Sequence, residues 1–178
     1  MQQQKKSGAM EMYEKINSLK QCLQQMKQNR ASRQNGQTFY FSPFSRKQKQ
    51  VLTWWCPESP VHDKDGIIAD GAIRSGKTVS MSLSFVMWAM SSFAGQNFAM
   101  CGKTIGSFRR NVLFWLKLML RSRGYSITDH RADNLVVIRK NGIENYFYIF
   151  GGKDERSQDL IQGITLAGVF FDEVALMP

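Results

Sequence analysis

An eight-residue glycine-rich segment constrains this chain more than any other part of the sequence. Residues 71–78 read Gly-Ala-Ile-Arg-Ser-Gly-Lys-Thr and match the pattern GxxxxGK[ST] in full. Glycines let such a loop turn tightly, so that backbone N–H groups and the positive end of the following helix hold phosphate oxygens. The lysine then supplies charge to the β- and γ-phosphates, and the hydroxyl coordinates Mg²⁺. The predicted phosphate-binding residues are Gly71, Ala72, Ile73, Arg74, Ser75, Gly76, Lys77 and Thr78.

The segments around this P-loop alternate between strand and helix patterns. The predicted order is a short buried strand at 66–70, a helix at about 76–92, a strand at 97–101 and a helix at about 105–121. Such alternation is the signature of a parallel sheet. Further on, segments 135–139 and 143–150 flank Asn141-Gly142, a pair favoured in tight hairpin turns.

The last apolar segment ends in two acidic residues. Residues 167–171, Ala-Gly-Val-Phe-Phe, predict a buried strand, and Asp172 and Glu173 follow at its carboxyl end. In α/β proteins this end of the sheet faces the ligand crevice, which places both carboxylates beside the P-loop. We expect Asp172 to hold Mg²⁺, directly or through water, and Glu173 to orient and deprotonate the attacking water.

These elements together predict an α/β fold of the P-loop NTPase class, of the ASCE, RecA-like type. We expect a mainly parallel sheet with helices on both faces, an inserted β-hairpin and an N-terminal helix. Arg74 lies inside the loop, where a guanidinium could stabilise charge on the γ-phosphate from within the same subunit. It could equally face solvent or contact a neighbouring subunit.

Positive charge is concentrated at the start of the chain. The sequence has 24 Lys and Arg against 14 Asp and Glu, a net charge of +10. Residues 1–50 contain ten Lys or Arg and two Asp or Glu, a net charge of +8. Residues 51–178 are therefore nearly neutral. The pattern suits a basic arm that binds nucleic acid or another polyanion, and a purely solubilising role is the alternative.

The same N-terminal part predicts the domain organisation. Residues 1–9 look disordered, 10–30 form a basic amphipathic helix, 31–42 form a polar linker, and 43–178 form the ATPase domain. The helix could pack on its own domain or mediate self-association. Its apolar stripe comprises Met12, Ile16, Leu19, Leu23 and Met26. The three cysteines are widely spaced, which favours a reducing cytosol, and no signal sequence or membrane span is predicted.

With these motifs in order, the sequence from about residue 40 resembles the ATPase portion of the large terminase subunit of tailed phages, the motor that packages viral DNA into an empty capsid. The P-loop alone is shared by many NTPases, so the resemblance depends on the combination of segments. Residues 157–178 are especially similar to terminases from phages and prophages of Gram-positive bacteria. The other matching segments are 44–55, 71–78, 97–104 with 108–110, and 151–155.

The resemblance implies functions for residues outside the P-loop. Terminases have a glutamine that recognises adenine ahead of the loop; Gln48 matches it best, Gln50 is the second choice, and a purely solvated helix position is the alternative. Lys103, Arg109 and Arg110 follow the second predicted strand, where related translocases contact the DNA backbone. An exposed basic helix face would have the same sequence pattern.

The resemblance also implies the cofactors ATP and Mg²⁺ and a set of partners. These are double-stranded DNA, the terminase small subunit, the portal protein and further copies of the full-length chain in a ring. The expected location is the host cytoplasm, transiently on the procapsid portal, without membrane contact.

The sequence lacks the nuclease domain of a large terminase and stops five residues after Glu173. We therefore expect an N-terminal fragment, a split gene or a truncated product, with an incomplete sheet and no nuclease activity. Two other functions stay open: a helicase-like DNA translocase, or a truncated product that binds nucleotide or DNA without turnover.

Overall fold

The computed structural model describes residues 44–72, 74–152 and 163–173. Contacts between residues divide the chain into two units, Met1–Pro43 and Phe44–Pro178. The first unit, with the predicted disordered start, amphipathic helix and linker, lies outside the described residues. So does Ile73 of the P-loop. All of the described residues belong to the second unit.

A five-stranded sheet forms the centre of this unit. Its strands are β1 (Asn97–Gly102), β2 (Ser126–His130), β3 (Leu135–Lys140), β4 (Ile143–Gly151) and β5 (Gly168–Phe171), in the spatial order β2-β3-β4-β1-β5. Strand β1 pairs in parallel with β4 and β5, whereas β2, β3 and β4 pair antiparallel. The described sheet is therefore mixed, because the predicted hairpin recruits β2, which sequence reasoning missed.

The hairpin between β3 and β4 turns at the predicted Asn-Gly pair. Asn141 has a φ of 51° and Gly142 a φ of 80°, the left-handed values that a two-residue turn of this kind requires. The turn sets Leu135 opposite Tyr148 and Lys140 opposite Ile143. The predicted hairpin is confirmed.

The described residues form three helices, of which the second and third pack on the sheet and the first packs on the second. They are α1 (Arg46–Leu52), α2 (Lys77–Ser92) and α3, which consists of Ile105–Phe108, a π-helical turn at Arg109–Leu113 and Phe114–Arg121. Helix α1 begins with a capping box, in which the Ser45 hydroxyl accepts from the Gln48 N–H and the Gln48 side chain accepts from the Ser45 N–H. The predicted helices at 76–92 and 105–121 are confirmed. The first begins one residue later than predicted, at Lys77, and the second begins at the predicted residue, Ile105.

Helices α2 and α3 both pack on one face of the sheet, although the sequence predicts helices on both. The core on this face combines aliphatic and aromatic side chains, and Phe98 of β1 stacks on Phe147 of β4 with 5.1 Å between ring centroids. On the opposite face, Ala99, Cys101 and Phe150 form a smaller buried cluster. Burial raises the pKa of the Cys101 thiol to about 11, which keeps it protonated and unreactive at neutral pH.

The predicted strand at 66–70 is wrong. These residues form a connection without regular secondary structure or strand pairing, and Ile68 is 98% exposed. Strand β5 pairs only with β1 among the described residues, so its outer edge is open and this segment does not pair with it. An apolar run becomes a strand only when another strand takes up its backbone hydrogen bonds. Among the described residues, no helix is long and apolar enough to cross a membrane.

A buried amide fixes the far end of α2. The Asn145 side chain on β4 is fully buried and donates to the carbonyls of Ala89, at 3.2 Å, and Phe93, at 2.9 Å. Its oxygen accepts from the Gln96 N–H at 2.9 Å. The helix that begins at the P-loop is thereby held against β4 where it ends.

An ion cluster fastens α3 to β2. The Asp129 carboxylate accepts from Arg109 at 2.7 Å and from Lys117 at 2.8 Å, and all three side chains are largely buried. Burial by itself raises the pKa of Asp129, but the hydrogen bonds and charges of Lys117 and Arg109 outweigh it, so the pKa is lowered. The ionised carboxylate therefore stabilises the folded state.

We expect Asp129→Asn to lower the free energy of unfolding by about 2 kcal/mol at neutral pH, because two charged groups lose their partner. A folded-state pKa below the ordinary Asp value means that the stabilisation is complete above about pH 4 and is lost as pH falls through the lowered pKa. Urea unfolding from pH 7 down to pH 2 should thus show the difference from wild type shrinking below about pH 4.

Asp63→Asn is the matched control, because its pair with Lys64 is well exposed and should contribute less than about 1 kcal/mol. A difference between wild type and Asp129→Asn that is the same at every pH would contradict the electrostatic interpretation.

Candidate active site

The P-loop lies between segment 66–70 and α2. Gly76 has a φ of 81°, and this left-handed residue turns the chain into α2, whose first residue is Lys77. No side chain caps the start of α2 among the described residues, so its first-turn N–H groups are free to bind an anion. Arg74, an exposed non-glycine residue, also has a positive φ of 63°, a strained backbone of the kind that clusters at functional sites.

The P-loop lysine lies across the loop. Lys77 Nζ donates to the carbonyl oxygens of Gly71, at 2.6 Å, and Ala72, at 2.8 Å. Both acceptors are uncharged, so the positive charge is not neutralised by either of them. The ammonium group is therefore held next to the loop backbone, where a bound phosphate would meet it.

The two predicted magnesium ligands are in contact. Thr78 Oγ1 donates to Asp172 Oδ1 at 2.7 Å, although the residues are 94 positions apart. The Asp172 N–H donates to the Cys101 carbonyl at 2.9 Å, which continues the β1–β5 ladder by one residue and fixes the carboxylate.

A hydroxyl beside one carboxylate fits Mg²⁺, which is usually bound by one or two carboxylates together with substrate phosphates. No larger cluster of metal-binding side chains occurs among residues 44–72, 74–152 and 163–173. Thr78 and Asp172 are thus the residues that would hold the ion.

Glu173 is exposed at the end of β5, directly after Asp172. Its φ of 56° is left-handed, which costs a non-glycine residue on the order of 1 kcal/mol. The strained backbone therefore occurs at the residue that the sequence predicts to be the catalytic base.

Gln48 reaches the P-loop from α1. Its Nε2 donates to the Ser75 carbonyl at 2.8 Å, and its Oε1 accepts from the Ser45 N–H at 2.8 Å. The predicted proximity to the nucleotide site is thus present, but both ends of the carboxamide already have protein partners. Each end keeps further capacity, because Nε2 has a second hydrogen and Oε1 a second lone pair. Sequence reasoning missed Ser45, although the Ser-x-x-Gln spacing is a capping-box signature.

A cavity of about 590 Å³ opens beside the P-loop. The loop residues Gly71, Ala72, Ser75 and Lys77 form one side of it, and Gln50 also lines it. The remaining wall is largely apolar. It includes Val51, Trp54, Val61, Ile67 and Met81. The volume is within the range of pockets that enclose small-molecule ligands.

The three predicted DNA contacts differ in their surroundings. Arg109 belongs to the ion cluster with Asp129 and also donates to Asn134 at 3.4 Å, so its guanidinium serves the packing of α3. Arg110 is exposed and Lys103 is half-buried. Of the three, Arg110 remains the most accessible to a DNA phosphate.

The P-loop at the start of α2, with an acidic strand end against its threonine, defines a protein of the P-loop NTPase class. The family model described as terminase large subunit, T4likevirus-type, N-terminal, matches residues 68–178, more than half of the chain. The chain therefore belongs to the terminase large subunit family.

Solved structures agree with the family match. The large terminase of a thermophilic bacteriophage is 69% identical over 77% of this chain, with a TM-score of 0.75. Structures of that terminase with ADP and with ATP-γ-S give 68% and 65% identity over 76% of this chain, with TM-scores of 0.72 and 0.71. The matches cover 34%, 33% and 32% of those chains, so this chain spans about a third of their length. No curated protein matches the chain.

We expect Gly76→Ala to lower the free energy of unfolding by about 2 kcal/mol or more. The residue has a left-handed backbone, and an added Cβ would lie 2.5 Å from Gln48 Nε2. Thermal or urea unfolding measures the change. Gly66→Ala is the control, since a Cβ at Gly66 meets nothing within 4 Å. Equal stability of both variants would contradict the observed loop conformation.

Proposed function

We propose that this chain is the ATP-hydrolysing part of a phage DNA-packaging motor, which couples hydrolysis to movement of double-stranded DNA into the procapsid. The proposal rests above all on the contact between Thr78 and Asp172 in a member of the terminase large subunit family. That contact joins the two halves of a nucleotide site, the P-loop and the acidic strand end.

The proposed ligand is ATP. The large terminase of the thermophilic bacteriophage, to which this chain is similar, was solved with ADP and with ATP-γ-S. In this chain, the loop backbone from Gly71 to Thr78 would bind the phosphates, and the cavity beside it would take the ribose and base. Its apolar wall suits the faces of an adenine ring.

The proposed metal is Mg²⁺, held by the Thr78 hydroxyl and the Asp172 carboxylate. When bound, the ion neutralises charge on the β- and γ-phosphate oxygens. Here the threonine hydroxyl donates to the carboxylate, so both oxygens are already positioned side by side. Little rearrangement would be needed to place both on the ion.

Hydrolysis would proceed by in-line attack of water on the γ-phosphorus, which breaks its bond to the β–γ bridging oxygen and releases ADP and inorganic phosphate. Glu173, adjacent to Asp172 and not needed for the metal, would orient the water and take its proton. Lys77 would leave the Gly71 and Ala72 carbonyls for the β- and γ-phosphates and stabilise the charge that develops there. Arg74, inside the same loop, would stabilise that charge in cis.

The proposed partners are double-stranded DNA, the terminase small subunit, the portal protein and further copies of the full-length chain in a ring. The net charge of +8 in residues 1–50 supports a polyanionic partner. Lys103 and Arg110 are the proposed DNA contacts within the second unit. The proposed location is the host cytoplasm, transiently at the portal of the procapsid.

We expect Glu173→Gln to keep ATP binding within a few-fold of wild type and to lower hydrolysis at least about 100-fold, because the variant cannot accept a proton. Lys77→Ala should lose binding as well, because it removes the charge next to the phosphates. Phosphate release with and without double-stranded DNA, together with ATP binding, separates the two effects. Hydrolysis by Glu173→Gln at the wild-type rate would exclude Glu173 as the base.

Arg74→Ala should bind ATP normally and hydrolyse it at least about tenfold more slowly, since a guanidinium at the γ-phosphate acts mainly in the transition state. Single-turnover hydrolysis measures this step directly. Should Arg74→Ala turn over at the wild-type rate while Lys77→Ala is inactive, Arg74 has no catalytic function in cis.

A further inference from the structure

Helix α2 carries three buried serines, and one of them donates to a different helix. The hydroxyls of Ser80 and Ser82 donate to carbonyls about one turn earlier in the chain, as serines within helices commonly do. The Ser84 hydroxyl, equally buried, donates to the carbonyl of Val51 on α1 at 2.7 Å. Ser84 therefore connects α2 to α1, whereas the other two serines satisfy their hydroxyls locally.

The acceptor lies in the last turn of α1, where a helix provides no N–H groups for its own carbonyls. Ser84 Oγ lies 2.7 Å from the Val51 oxygen and 3.3 Å from the Leu52 oxygen. Trp55 Nε1 donates to the same Leu52 oxygen at 3.1 Å. The end of α1 is thus completed by side chains, and one of them belongs to α2.

Helix α1 depends on such contacts because it is only seven residues long. An isolated helix of this length is unstable in water, so tertiary packing must hold it in place. A second contact lies beside the first: the ring of Trp54, just after α1, packs near that of Trp88 on α2, with centroids 6.5 Å apart. Ser84 and Trp88 are four residues apart and therefore lie on the same face of α2. Together they fix the end of α1 at two successive turns of α2.

The residues held in this way form part of the cavity beside the P-loop. Val51 and Trp54 both line the cavity, and α2 contributes Met81 to the same lining. The Ser84 bond thus joins the backbone of one wall residue to the helix that begins at the P-loop. The distance between this wall and the loop therefore depends on that bond.

We propose that Ser84 is a positioning residue that holds the α1 wall of the cavity at the distance from the P-loop that the ribose and base of the nucleotide require. The inference rests on the proposed function, since it concerns which part of the nucleotide each element binds. Ser84 acts through Val51 and does not touch the nucleotide. Without the bond, the wall is in place in only a fraction of the molecules, and the apparent affinity falls by that fraction. The loop continues directly into α2 at Lys77, so phosphate binding depends much less on the bond.

Inorganic tripolyphosphate separates the two parts of the site, because it resembles the phosphates of ATP but has no ribose or base. Ser84→Ala should weaken binding of ATP about fivefold, the effect of one lost hydrogen bond, and keep binding of tripolyphosphate within about twofold of wild type. Calorimetric titration of the full chain with Mg²⁺ measures both affinities. Amide hydrogen exchange in residues 46–53, measured without nucleotide, should be faster in this variant.

Ser82→Ala is the matched control, because it removes an equally buried hydroxyl whose acceptor, the Val79 carbonyl at 3.3 Å, belongs to α2 itself. It should keep both affinities within about twofold of wild type and leave exchange in residues 46–53 unchanged. Ser84→Cys retains a weaker donor, so its affinity for ATP should lie between those of wild type and Ser84→Ala. This variant carries the comparison if urea unfolding shows that Ser84→Ala does not fold.

Equal losses for ATP and tripolyphosphate in Ser84→Ala would show a general disturbance of the loop or fold and would overturn the inference. A wild-type affinity for ATP, or a loss just as large in Ser82→Ala, would overturn it too. Failure of the proposed function has a different result, because wild type would then bind neither ATP nor tripolyphosphate. If wild type binds both and Ser84→Ala keeps the wild-type ratio of the two affinities, only the positioning by Ser84 is rejected.

Discussion

The parallel pairing of β5 with β1 is the constraint on which the site depends. Strand β5 has only four residues, and its register sets Phe171 beside Cys101, so that the following Asp172 continues the ladder. A shift of one residue would move the Asp172 carboxylate to the other face of the sheet. Because α2 packs on one face only, the contact with Thr78 exists in this register alone.

Close packing between β5 and α2 maintains that register. Gly168, the first residue of β5, lies against the Trp88 ring, where an added Cβ would come within 2.7 Å. Further along, Phe170 packs near Phe85, with ring centroids 5.9 Å apart. Since interiors tolerate little change in volume, the aromatic side chains of α2 fix how far the P-loop lies from the acidic strand end.

The sequence predicted the positions of its motifs better than it predicted the individual strands of the sheet. The P-loop, the acidic strand end and the Asn-Gly hairpin follow from residue patterns with strict backbone or chemical requirements, and each has the predicted place in the structure. The strand at 66–70 was wrong, because apolar composition does not reveal whether a segment pairs with the edge of a sheet. Strand β2 was missed because its residues alternate weakly and depend on pairing with β3.

The sequence by itself predicted the chemistry, since a phosphate-binding loop needs glycines, a lysine and a hydroxyl at fixed spacing. It also determined the family, through the order of its motifs. Only the tertiary structure decided which groups meet: Thr78 with Asp172, Gln48 with the loop backbone, and Arg109 with Asp129. These contacts join residues 94, 27 and 20 positions apart. The motifs predicted that Asp172 and Gln48 lie near the loop, but which atoms form hydrogen bonds depends on the register of β5 and on the packing of the helices.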